Sequence, residues 1–147
     1  MRYEAPQTVD QAISLLAGAD GNPRVLAGGT DLLVQLRAGF IDPEVIVDIK
    51  QIDETTAITA EDGGFRVGAA VSGARLKEHD TLSLLWPGVV EAADLIGSTQ
   101  IQGRASMGGN LCNASPAADT VPALIAAGAT CALAGPSGRR EVPVEEI

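Results

Sequence analysis

The sequence predicts an α+β fold: a small N-terminal α/β lobe over residues 1–52, then a larger lobe over 53–147 with an antiparallel sheet and helices. Three observations carry this. The first fifty residues alternate strand-like and helix-like runs, as a helix-covered sheet requires. Beyond Gln51 the pattern changes to paired short strands around E-D-G-G and G-P-S-G, which read as hairpins. Apolar residues make up 46% of 147, mostly Ala, Val, Leu and Ile, enough for one core or for two unequal ones.

In order, Arg2 to Ala5 is predicted as a short strand that Pro6 ends. Thr8 and Gln11 form a T-x-x-Q capping box, with Val9, Ala12, Ile13 and Leu16 at helical spacing and Gly18 as terminator. Asp20 to Pro23 reads as a turn and Arg24 to Ala27 as a buried strand. Gly28-Gly29 breaks that strand; Thr30 or Asp31 can cap a helix through Leu32, Leu33, Leu36 and Arg37, closed by Gly39. Glu44 to Ile49 is the third strand of this lobe.

In the second lobe, Ala57 to Ala60 and Phe65 to Val67 flank the first hairpin turn. Ser72 caps a helix from Gly73 to Glu78, Leu82 to Trp86 is apolar, and Pro87 opens a helix reaching about Ile96. Gly97 to Arg104 is polar and loop-like, and Ala117 to Ala127 is helical with Pro122 near its start. Thr130 to Ala134 and Arg140 to Val144 make the last hairpin. The chain closes on Val142-Pro143-Val144-Glu145-Glu146-Ile147 without a polar tail, which reads as a piece of a longer polypeptide.

A net charge of −9 with scattered Lys and Arg argues against nucleic acid as a partner. No run approaches membrane-spanning length and the first residues do not open a secretory signal, which favours the cytoplasm. Cys112 and Cys131 have no metal-ligand spacing and read as reduced thiols. His79, the sole histidine, reads as a solvated helix end; Glu61-Asp62 and Glu145-Glu146 read as turn and surface, and Trp86 as core. None of these makes a catalytic constellation.

The chemistry lies in two glycine stretches. Strand, then Gly28-Gly29, then helix lets a backbone approach an anion without a Cβ in the way, while the helix start offers unpaired N–H groups. Thr30 adds a hydroxyl, and Asp31 suits a helix cap or a sugar hydroxyl. Neither G-x-G-x-x-G nor G-K-[ST] is present, and a plain tight turn is the competing reading. The second stretch is A-S-M-G-G-N-L-C-N-A-S-P-A-A-D, Ala105 to Asp119. Here Ser106, Gly108, Gly109 and Asn110 can form a nest of donors that Asn113 and Ser115 extend, and Asp119 suits ribose or ribityl hydroxyls or a ring N–H. A glycine-rich packing loop is the competing reading. One anion site per stretch matches a pyrophosphate. Gln100 and Gln102, just upstream, read as positioning residues.

A-G-G-T-D-L-L followed at a distance by that second motif closely resembles the FAD-binding subunit of the molybdenum hydroxylases, the group of xanthine dehydrogenase and the carbon monoxide dehydrogenase medium subunit. The resemblance runs from Y-E-A-P to V-P-V-E-E and implies the PCMH-type FAD-binding fold. It implies FAD contacts at Val25, Leu26, Ala27, Gly28, Gly29, Thr30, Asp31 and Leu32, and at Ala105, Ser106, Gly108, Gly109, Asn110, Asn113, Ser115 and Asp119. It implies that Ile96 and Gly97 approach the flavin ring. It also implies an oxidoreductase that passes electrons from an iron–sulfur partner subunit, beside a molybdopterin-containing large subunit, through FAD to an external acceptor. The family's subunit is about twice as long. Two other readings stay open: a vanillyl-alcohol-oxidase-like flavoenzyme acting directly on substrate, and a non-redox module binding a phosphorylated metabolite.

Overall fold

The computed structural model describes residues 1–147. Strands β1 (Arg2–Glu4), β2 (Arg24–Leu26) and β3 (Val45–Asp48) form one parallel sheet in the order β1-β3-β2. Tyr3 lies opposite Ile46, and Leu26 opposite Asp48. Every residue of β3 is buried, as a central strand between two neighbours and covered on both faces should be. Helix α1 (Val9–Ala17) packs on one face, where Val45 and Val47 meet Ala12 and Ile52. Alternation sends Ile46 and Asp48 to the other face, which is the side of Tyr3 and Leu26.

Local signals explain how α1 starts and stops. The Thr8 hydroxyl accepts from the Gln11 N–H at 3.2 Å, while the Gln11 side chain accepts from the Gln7 N–H at 2.9 Å. Gly18 ends the helix at φ −88, an ordinary conformation, whereas Gly39 closes helix α2 (Leu32–Arg37) in the left-handed region at φ +71. Neither Thr30 nor Asp31 caps α2 through its side chain. Asp31 is already helical (φ −96, ψ −47), so its carboxylate lacks the extended backbone that aims a cap.

Helix α3 (Asp53–Thr56) leads into the hairpin of β4 (Ile58–Glu61) and β5 (Gly64–Val67), with Gly63 at φ +83 in its turn. Helices α4 (Gly73–Lys77), α5 (Asp80–Leu85) and α6 (Pro87–Asp94) then build a second core of Val71, Leu76, Leu82, Val90 and Ala93. Phe65 and Trp86 are half-buried against it. Helix α5 was not expected. His79 makes it: its Nδ1 accepts from the Leu82 N–H at 3.1 Å, and its ring stands edge-on to Phe65. The histidine is therefore a part-buried cap rather than a solvated helix end.

Where a polar loop was expected, α7 (Thr99–Gln102) forms, tied back by Gln102 Nε2 to the Asp94 carbonyl at 2.5 Å. Helices α8 (Met107–Cys112) and α9 (Thr120–Ala126) follow, and β6 (Thr130–Gly135) pairs with β7 (Gly138–Pro143). The antiparallel pairing is thus divided between two separate two-stranded hairpins. No helix is long and apolar enough to cross a membrane.

Candidate functional site

The first glycine stretch leaves β2 at Leu26, whose side chain is core, so what this segment offers outward is backbone. The Ala27 carbonyl accepts from Lys50 Nζ at 2.9 Å. That ammonium also lies 2.7 Å from Asp48 Oδ1, and Tyr3 OH donates to the other carboxylate oxygen at 2.5 Å. Burial alone would raise the Asp48 carboxyl, but the bonds from Lys50 and Tyr3 outweigh it and hold it below its ordinary value. The hydrogen bond to Asp48 pushes the Tyr3 phenol up. Neither Lys50 nor the Tyr3–Asp48 pair was anticipated as part of the site. The available signal was an acid at the end of an apolar strand, a charge that burial must pair.

Gly28 is buried, and a Cβ built on it would stand 2.0 Å from the Arg104 carbonyl oxygen. Arg104 Nε approaches the Gly28 carbonyl at 3.4 Å. The two glycine stretches, distant in sequence, therefore touch at Gly28. Gly29 has φ +81, and its absent Cβ would meet the side chains of Leu26 and Leu33. No hydrogen bond within the chain is donated by the N–H groups of Gly28, Gly29, Thr30 or Asp31. Four consecutive unpaired donors on a glycine-bearing turn fit an anionic group. Helix α2 has only six residues, so the turn's own amides, more than a helix dipole, carry the fit.

The second stretch departs from the expected open nest. Ser106 is buried and caps α8, its hydroxyl accepting from the Gly109 N–H at 3.1 Å, and its carbonyl accepts from the Asn110 N–H at 2.9 Å. The amides of Gly109 and Asn110 are thus used inside the helix. Gly108 packs tightly, since its Cβ would fall 2.6 Å from the Ala69 carbonyl oxygen. Its own N–H donates to nothing in the chain. The Asn110 side-chain oxygen Oδ1 receives the Thr120 N–H at 3.1 Å and the Thr120 hydroxyl at 2.6 Å, so this oxygen fixes the start of α9. Its amide NH₂ makes no bond within the chain.

Beyond α8, Asn113 Oδ1 receives Gln35 Nε2 at 3.3 Å, which ties the second stretch to α2. Ser115 Oγ accepts from the Ala117 N–H, holding a turn that delays α9 to Thr120, three residues later than expected. Asp119 is exposed and makes no side-chain cap. Ala105 is buried, and its carbonyl accepts from the Gly73 N–H at 2.9 Å, which anchors the second stretch to α4. Ile96 and Gly97 sit at the joint of α6 and α7, and no hydrogen bond joins them to either stretch. Gly97, at φ +60, packs against Ile101. Cys112, one of two free thiols, is pushed up by desolvation and is a neutral neighbour of the site at pH 7.

The whole chain, residues 1–147, matches the family model described as the FAD binding domain in molybdopterin dehydrogenase. It is 34% identical over 143 residues to the carbon monoxide dehydrogenase medium chain of Hydrogenophaga pseudoflava, covering 97% of this chain and 50% of that one. It is 37% identical over 145 residues to the xanthine dehydrogenase FAD-binding subunit of Escherichia coli O157:H7, covering 97% and 49%. Among solved structures, carbon monoxide dehydrogenase from H. pseudoflava superposes with a TM-score of 0.94 at 33% identity, over 99% of this chain and 50% of that chain. Quinoline 2-oxidoreductase from Pseudomonas putida 86 superposes with a TM-score of 0.92 at 28% identity, over 98% and 50%. The chain spans about half the length of the curated relatives it matches.

Proposed function

The chain belongs to the family of FAD-binding domains of the molybdopterin dehydrogenases, and from that premise we propose that its two glycine stretches together hold the FAD diphosphate. The observation that carries this is the meeting of Gly28 with the Arg104 carbonyl beside four unpaired amides. In this reading the N–H groups of Gly28, Gly29 and Thr30 and the free amide of Gly108 face the diphosphate. The Asn110 NH₂, Asn113 and Ser115 add neutral donors, and Asp31 and Asp119 accept from sugar hydroxyls. Val25, Leu26, Ala27 and Leu32 contribute backbone, Ser106 and Gly109 shape α8, and Ile96 and Gly97 flank the ring.

Bound FAD supplies the redox chemistry. The protein's part is to bind, orient and shield it, which requires no general base. By analogy with the family, electrons arrive from an iron–sulfur partner subunit of a complex that also carries a molybdopterin-containing large subunit, and leave to an external acceptor. In the same reading the complex is cytoplasmic, and residues 1–52 and 53–147 form two lobes that each contribute one glycine stretch to the cofactor.

The test is flavin retention. The purified chain is expected to carry or take up flavin, absorbing near about 450 nm as flavins do. Asp119→Ala should lower FAD affinity by roughly three- to tenfold, the worth of one hydrogen bond, with an unchanged melting temperature. A folded chain that takes up no flavin refutes the assignment. Unchanged affinity in Asp119→Ala removes that residue from the site.

A further inference from the structure

Resting on the reading that the first glycine turn meets a diphosphate, we propose that Lys50 and Arg104 are positioning residues that set the direction of its amides. Two successive carbonyls of the turn are held by cations from elsewhere in the chain: Ala27 by Lys50 Nζ at 2.9 Å and Gly28 by Arg104 Nε at 3.4 Å. All peptide bonds are trans, and in a trans peptide the N–H points opposite to the carbonyl of the same plane. Fixing the Ala27 carbonyl therefore fixes the Gly28 N–H, and fixing the Gly28 carbonyl fixes the Gly29 N–H. Both N–H groups are unpaired within the chain and point away from the cations.

Such pinning matters at this place. Glycine tolerates both signs of φ, so an unrestrained pair of glycines can rotate its peptide planes at little cost and turn a carbonyl toward an anion. A carbonyl that accepts from a cation also polarises its peptide and strengthens the N–H on the other side. Lys50 is itself held, since Asp48 receives it at 2.7 Å and Tyr3 holds the far carboxylate oxygen. The chain Tyr3–Asp48–Lys50–Ala27 thus carries the rigidity of β1 and β3 to the glycine turn. Arg104 acts on the next carbonyl, and its own carbonyl lies against Gly28. Its bond is long, so its share is the smaller.

The test compares the unsubstituted chain with Lys50→Met, Lys50→Arg and Arg104→Met. FAD affinity is measured by titration, and the Gly28 and Gly29 amides are followed by ¹⁵N–¹H spectra without ligand. Lys50→Met is expected to weaken FAD about tenfold, Arg104→Met about threefold, and Lys50→Arg to recover part of the loss. In the two methionine variants the Gly28 and Gly29 resonances should shift or broaden, while those of Gly128 and Gly138 stay in place. Unchanged FAD affinity in the folded variants overturns the proposal. So do resonance changes spread over the whole chain, which mark Lys50 as a stability residue only. If Lys50→Met does not fold, Lys50→Arg and exposed Arg104→Met decide the matter by the same two readouts. An unsubstituted chain that ignores FAD overturns the proposed function itself, whereas a chain that binds it with indifferent variants overturns only the positioning.

Discussion

Asp48, at the end of β3, is the residue on which the polar interior beside the parallel sheet turns. Its carboxylate is nearly inaccessible and takes bonds from the Lys50 ammonium, the Lys50 N–H and the Tyr3 phenol. Its folded value lies below the ordinary one, so the unfolded chain binds the proton more readily. The stability it contributes is therefore complete above about pH 4, the ordinary carboxylate value, and is lost as the pH falls below it. Melting curves from pH 6 to pH 3 should show an acid limb that is shallower in Asp48→Asn than in the parent chain. Parallel limbs would mean that other carboxylates carry the acid sensitivity. Exposed pairs such as Glu54 with Arg139 are poor candidates, because solvent screens them.

At the level of elements, the decisive contact lies between the turn after β2 and the segment before α8. Gly28 has no room for a side chain, and the obstacle is the Arg104 backbone, which cannot swing aside as a flexible side chain could. Gly28→Ala should therefore push the two segments apart, abolish FAD retention and lower the melting temperature. The parallel sheet, held by α1 on its far face, is expected to persist by circular dichroism. Gly39→Ala, at a positive φ with open space around it, is the control: it strains the end of α2 and should leave flavin binding intact. Equal flavin content in the Gly28→Ala and parent chains would show that the segments need not touch. The anchoring of α8 follows the same logic, for Met107 packs on the second core while Asn110 grips the buried Thr120.

For the whole molecule, what stands out is how much apolar surface stays open. Phe40 is 81% exposed, Leu84 78% and Leu95 70%, with Val34 and Leu85 close behind. Large exposed apolar side chains in such number exceed the scattered few that a solvated surface carries without consequence. The native chain is expected to bind an apolar dye such as ANS and to grow in hydrodynamic size as its concentration rises, despite a net charge of −9. A chain that stays dark with the dye and monomeric at high concentration would show these side chains to be too dispersed to act as a patch.

Where a property depends on a few neighbouring residues, the sequence alone determined it. The Thr8 cap of α1, the Ser72 cap of α4, the glycine-centred hairpins and the strand–helix alternation of the first fifty residues are all legible because short-range sterics and hydrogen bonds decide them. The two glycine motifs likewise marked the family and its cofactor. Only the tertiary structure decided what each donor is free to do. It wound Met107–Cys112 into a helix against the low propensity of two glycines, committed the Asn110 oxygen to Thr120, made a cap of His79 and carried Lys50 to Ala27. Packing between segments far apart in the chain sets those choices, and no local pattern encodes which carbonyl a distant cation will reach.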